Sequence, residues 1–196
     1  MYHTYKNGFI EVVCGPMFAG KTEELIRRIR RLEYAKQNVL VFKPAIDQRY
    51  EANQAIVSHD LSQKPSIVVT HSSEIDAYIN DDTDAVVIDE AQFFDEGIVN
   101  VAERWADAGK RVIVGGLDTN FKGEPFGPMP ALLARAEFVI KLTAICVKSG
   151  LPATRTQRII NGKPAAYDDP TILVGAKESY EPRSRHYHEV PGKPKP

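Results

Sequence analysis

Short apolar runs and amphipathic stretches alternate along the first two thirds of the chain. Phe9–Cys14 (FIEVVC) is rich in β-branched residues and closes on Gly15-Pro16, the pattern of a buried strand entering a turn. Over residues 21–36, Leu25, Ile29 and Leu32 recur at i, i+4 and i+7 with Ile26 beside them. That spacing predicts an amphipathic helix whose remaining surface carries Arg27, Arg28, Arg30 and Arg31 as a solvated face. Further strands are expected at 39–42, 67–70, 85–88, 111–114 and 138–142, with helices at 73–79 and 98–108. The last helix ends at Gly109 and turns Trp105 toward the packed side. Strands that are apolar throughout, alternating with amphipathic helices, predict an α/β fold: a mostly parallel sheet covered on both faces.

Beyond Leu142 the texture changes. Glycines and prolines recur (Gly150, Pro152, Gly162, Pro164, Pro170, Gly175, Pro182), helical periodicity fades, and short strand candidates such as 171–174 remain. Three parts are expected: a nucleotide-binding unit over 1–142, a small loop-rich unit over 143–190, and a disordered tail over 191–196. The chain contains no internal repeat.

Composition narrows the function. At 196 residues there is room for one domain and an appendage, and 43% hydrophobic with 26% charged residues is enough apolar material for a core. The net charge of −1 offers no general attraction to nucleic acid or to an anionic membrane. No apolar run approaches the ~20 residues that span a bilayer, and residues 1–9 lack the apolar segment of a secretory signal, so a cytoplasmic protein is expected. Of the two cysteines, Cys14 ends an apolar strand and reads as a small buried hydrophobe.

Chemistry concentrates in two places. Gly15-Pro16-Met17-Phe18-Ala19-Gly20-Lys21-Thr22 matches G-x-x-x-x-G-K-[ST] between a predicted strand and a predicted helix. Glycines let backbone amides turn around phosphate oxygens, Lys21 reaches the β and γ phosphates, and the Thr22 hydroxyl is placed to ligate Mg²⁺. Ala85–Ile88 then delivers Asp89 and Glu90 at its C-terminal end, where parallel sheets place their ligands. Asp89 fits the metal-organising carboxylate of a P-loop enzyme, and Glu90, pointing the other way along an extended chain, is free to act as a base. Asp89-Glu90-Ala91-Gln92 also has the form of a helicase DEAx box, which leaves open an ATPase acting on nucleic acid. Such motors need two lobes, and this chain holds one. A GTPase is weaker still, because no N-K-x-D motif follows.

Five segments occur together: the phosphate loop at 15–22, Lys43-Pro44-Ala45-Ile46-Asp47-Gln48-Arg49-Tyr50, Asp89-Glu90-Ala91-Gln92-Phe93-Phe94, Gly116-Leu117-Asp118-Thr119-Asn120-Phe121 and Pro125-Phe126-Gly127. In order and spacing they resemble the type II thymidine kinases, and the likeness continues through 153–158 to Gly175 and Tyr180. The resemblance implies a cytoplasmic ATP:thymidine 5′-phosphotransferase of nucleotide salvage, acting on a free nucleoside rather than on nucleic acid. By the same resemblance Glu90 is the base for the 5′-hydroxyl. Asp47 and Asp89 help hold Mg²⁺, and Arg49 and Lys21 stabilise the phosphoryl in transfer. The cofactor ATP rests on 15–22 and 89–92. Phe121 and Tyr180 are aromatic walls around thymine, Met17 and Leu117 line the space for its methyl group, and Thr156 with Thr171, Ile172, Leu173, Val174 and Gly175 belongs to a lasso that closes over the base. The family further implies a homotetramer and feedback inhibition by dTTP.

One feature departs from the family. Its appendage is commonly pinned by zinc through two C-x-x-C pairs. Here the corresponding stretches read Cys146-Val147-Lys148-Ser149 and Ser184-Arg185-His186-Tyr187. Serine and tyrosine are poor zinc ligands at neutral pH, and Cys146 with His186 and His188 offers only three donors at shifted spacing. The appendage is therefore expected to lack zinc and to be held by strand pairing and hydrophobic contacts.

Overall fold

The computed structural model describes residues 7–45, 66–171 and 178–194. Six parallel strands form the central sheet: β1 (Phe9–Cys14), β2 (Val39–Pro44), β3 (Ile67–Val69), β4 (Ala85–Ile88), β5 (Arg111–Gly116) and β6 (Phe138–Lys141), in the order β3-β2-β4-β5-β1-β6. Strand alternation sorts their side chains. Val13, Val39, Val41, Ala85, Val87 and Ile113 meet Leu25, Ile29 and Leu32 of helix α1 (Lys21–Tyr34) on one face. Ile10, Val12, Val86, Ile88, Val112 and Val114 meet helix α2 (Gly97–Asp107) and helix α3 (Met129–Arg135) on the other. Both faces are dry, which is why the strands read as continuous apolar runs rather than alternating ones.

Three local expectations change. The stretch expected as a helix over 73–79 is a 3₁₀ segment, Ser72–Ala77, whose start is fixed by Asp95 accepting from the Ser72 amide and hydroxyl. Helix α3 carries Pro128 and Pro130 at its start, where a missing N–H is harmless, and too few apolar repeats to announce itself. Arg28 is not part of a solvated face. It is buried and pairs with Glu11 of β1 and, at 2.9 Å, with Glu24; Glu11 in turn accepts from Arg111 of β5 at 2.5 Å. Polar residues thus tie α1 to the sheet where the pattern alone suggested solvent. Trp105 packs against the core as expected, with its indole N–H donating to Asp76.

After β6 come a short hairpin, β7 (Ala144–Ile145) with β8 (Pro152–Ala153), and a three-stranded antiparallel sheet. That sheet comprises β9 (Arg155–Ile160), β10 (Lys163–Pro164) and β11 (Glu178–Arg183), in the order β10-β9-β11. Thr171 sits in a bend rather than at the start of a strand, and 172–174 fall outside the described residues. Toward the end of the chain, the Pro191 carbonyl accepts from the Tyr167 amide at 2.8 Å, and Lys193 reaches the Lys122 carbonyl. No helix among the described residues is long and apolar enough to cross a membrane.

Candidate active site

The phosphate loop connects β1 to α1 at the C-terminal edge of the sheet. Gly15 opens it with φ 144°, and a Cβ there would lie 2.5 Å from the Leu142 carbonyl oxygen, so only glycine passes. Phe18 (φ 65°) and Gly20 (φ 80°) complete the reversal, and no side-chain hydrogen bond caps α1 at Gly20. The first turn of α1 therefore presents backbone N–H groups of the kind that receive an anion. Lys21 arches back to donate to the Pro16 carbonyl at 2.8 Å. Burial lowers its pKa, while the charges of Glu90, Asp89 and Asp118 act the other way and favour the ammonium. Thr22 is half-buried beside it, and the exposed Phe18 ring leans outward. Ala19 packs on the small cluster of Ala144, Cys146 and Ala153.

Asp89 and Glu90 follow β4, but not as alternating positions of an extended strand. The strand ends at Ile88, and Glu90 adopts a left-handed backbone conformation, φ 53° and ψ 40°. That twist, not strand alternation, separates the two carboxylates. Asp89 is buried, accepts from the Glu90 amide at 2.9 Å and lies 3.6 Å from the Lys43 ammonium. Burial, reinforced by the Glu90 charge, pushes its carboxyl up to about 6 against the opposing pull of Lys43. Gln92 fixes Glu90: its Nε2 donates to Glu90 Oε2 at 2.5 Å while its Oε1 accepts from the Leu117 amide at 2.9 Å. Gly116 allows this approach, since a Cβ there would meet Gln92 Oε1 at 2.7 Å. Gln92 and Ala91 are both buried.

A cleft, open at its mouth, runs beside these groups. Met17, Lys21, Glu90, Leu117, Phe121, Thr156, Thr171 and Tyr180 all line it, so eight of the residues singled out from the sequence converge on one place. Thr156 also accepts from the Met17 amide at 3.0 Å, joining β9 to the phosphate loop. The sequence reading did not name Phe93, Thr119, Asn120 and Phe126 as site residues, yet they complete the wall. Phe93 and Phe126 meet edge to face with centroids 5.4 Å apart. All four lie within the recurring segments already noted, which was the available signal. Asp47, Arg49 and Ile172, Leu173, Val174 and Gly175 lie outside the described residues.

The sequence model of the family described as thymidine kinase matches residues 8–188, nearly the whole chain. The chain belongs to the thymidine kinase family. It is accordingly an ATP-dependent nucleoside kinase, a transferase that phosphorylates thymidine. In this kinase Met17 and Lys21 of the phosphate loop and Glu90 after β4 share one cleft with Thr156, Thr171 and Tyr180 of the appendage.

The departure from the zinc-bearing pattern has a local structure. Cys146 is a buried free thiol at the turn after β7. Burial raises its pKa, but hydrogen bonds from the Ser149 hydroxyl and from the amides of Ser184, Lys148 and Ser149 outweigh this and bring it down to about 6. Among the described residues no group of three or more His, Cys, Asp or Glu side chains is arranged to hold a metal ion. Cys14 shows the opposite balance, pushed up to about 11 by burial and by Asp118.

Proposed function

We propose that Glu90 is the general base that takes the proton from the 5′-hydroxyl of thymidine as that oxygen attacks the γ-phosphorus of ATP, giving dTMP and ADP. The observation that carries this reading is the convergence of Lys21 and Glu90 on one cleft with Phe121, Tyr180 and Thr156. Lys21 exchanges its Pro16 carbonyl for phosphate oxygens and stabilises charge on the phosphoryl being transferred, with Arg49 in the same role. The amides of 15–22 hold the remaining phosphate oxygens. Gln92 orients Glu90, so the base meets the acceptor hydroxyl in a fixed direction. Thymine lies between Phe121 and Tyr180, with Met17 and Leu117 toward its methyl group and Thr156 and 171–175 closing the edge.

The donor set also fits a magnesium ion. Asp89 is a buried carboxylate whose charged form is disfavoured, with Lys43 3.6 Å away, and an added divalent cation would favour that form. Thr22, Asp89 and Asp47 would hold the ion, which neutralises phosphate charge when bound.

Residues 1–142 act in this reading as the kinase domain and 143–190 as the substrate-closing unit, in the cytoplasm and on free nucleosides rather than nucleic acid. The appendage works without zinc, dTTP inhibits by occupying both subsites, and the chain assembles as a homotetramer. The exposed Val139 and Ile140 on edge strand β6 support self-association. Metal analysis, dTTP inhibition and a solution mass check these three points.

The deciding experiment follows ADP release with Mg·ATP and thymidine for the native protein and for Glu90→Gln, with dTMP identified by chromatography. The variant is expected to bind thymidine and to lose ~10²- to 10⁴-fold in kcat. A variant within a few-fold of the native rate would remove Glu90 from the role of base.

A further inference from the structure

Arg158 occupies the middle of β9 with no solvent exposure. Buried guanidinium groups are rare, because the charge must be met by partners that replace water. Here those partners are walls of the cleft. The guanidinium carbon lies 5.2 Å from the centroid of the Phe121 ring. Its Nη1 donates to the Pro170 carbonyl at 2.6 Å, directly before Thr171. Across the β9–β11 ladder Arg158 pairs with Tyr180. Phe121, Thr171 and Tyr180 line the cleft, and Arg158 does not.

We infer that Arg158 is a positioning residue for the nucleoside base: it seats Phe121, Thr171 and Tyr180 without touching the substrate itself. The inference rests on the reading that this cleft holds the base. The residue type matters. A planar guanidinium can lie against an aromatic ring and donate a directed hydrogen bond in the same pose, whereas a lysine ammonium offers a point charge on a flexible stem. Two neighbouring contacts reinforce the seat, since His188 Nε2 lies 2.8 Å from the Phe121 carbonyl oxygen and the Lys122 ammonium sits 5.5 Å from the same ring. Arg158 joins the ring to the segment entering Thr171.

The test uses the full chain with Arg158→Lys, Arg158→Met and Phe121→Leu, and the double variant of the last two. Thymidine and ATP are varied separately and the thermal midpoint is recorded. Both Arg158 variants should raise the thymidine KM about tenfold while the ATP KM stays within about twofold, since only the base wall is disturbed. In the Phe121→Leu background, Arg158→Met should add less than it does in the native protein, because one of the partners it seats has already gone. Arg158→Lys keeps the charge and carries the test if the Met variant does not fold. A thymidine KM within twofold of native in Arg158→Lys, or an ATP KM rising in parallel, overturns the inference. Phe121→Leu separates the two ideas. If it raises the thymidine KM and the Arg158 variants do not, only the role of Arg158 falls. If it leaves that KM unchanged, the base-binding reading of the cleft falls and takes the inference with it.

Discussion

The six-stranded sheet and the three-stranded sheet bury different materials. In the first, the residues shut away from water are Val12, Val13, Val86, Val87, Ile88, Ile113 and their like; in the second they are Thr156, Gln157, Arg158 and Arg183. Apolar burial is non-directional, so many side chains of the right volume will do. Buried polar groups need partners at defined positions, and each partner lost leaves an unsatisfied group. The phosphate loop hangs from the tolerant region, whereas the walls attributed to the base belong in part to the exacting one. Substitutions scattered at random should therefore disturb nucleoside binding more readily than the phosphate loop.

The largest expected effect breaks function while leaving the sheet intact. Lys21→Met should lower kcat by ~10²- to 10³-fold, as loss of a group aimed at developing charge does. The thermal midpoint should hold or rise, because burial already disfavours the ammonium. A parallel collapse of the midpoint would show that Lys21 is structural. Next, Ile113→Ala in the sheet should cost about 2–5 kcal/mol in chemical denaturation, a transfer and cavity penalty. Gln157→Leu should cost about 1–3 kcal/mol. Gln157 accepts from the Glu189 amide at 2.8 Å and donates to the Glu189 carbonyl at 2.9 Å, so its loss unpins the end of the chain. Equal Gln157→Leu and wild-type stabilities would erase the contrast between the regions.

The smallest effect is a pair of opposite pH dependences, measured as thermal midpoints in chelator. Asp89 is raised to about 6, chiefly by burial and then by the Glu90 charge. Its folded form binds the proton more tightly than the unfolded chain does, so stability rises as pH falls through 6 toward 4. His188 is lowered, first by burial and further by the charges of Arg155 and Lys193, although the Phe121 carbonyl opposes the shift. Its unfolded form takes the proton first, so stability falls as pH drops through about 6.5. Asp89→Asn should remove the rise, and His188→Gln should remove the fall. A variant profile parallel to the native one, for either residue, would sink that half of the prediction.

Most of the parallel sheet was legible because its signal is periodic and local: each strand is an apolar run closed by a turn, and α1 repeats Leu25, Ile29 and Leu32 on one face. The phosphate loop was legible for a different reason, its glycines being required by geometry such as the approach of Gly15 to Leu142. The antiparallel sheet gave no comparable pattern. Arg155–Ile160 reads RTQRII, and its inward residues are polar, so alternation of apolar and polar positions could not mark it. The position of Glu90 was anticipated on extended geometry and is in fact set by a left-handed turn, a backbone choice that glutamate does not advertise. Arg28 and Arg158 look like surface charges until the partners that cover them, distant in sequence, are known.

The left-handed backbone at Glu90 has an implication for protein engineering. A glutamate held there stores roughly 1 kcal/mol that glycine would release. Glycine would also leave the buried Gln92 amide without its Glu90 acceptor and enlarge the entropy lost on folding, so the strain released is offset. Relieving backbone strain at residue 90 is therefore no route to a hardier enzyme, and a programme to harden it must search elsewhere.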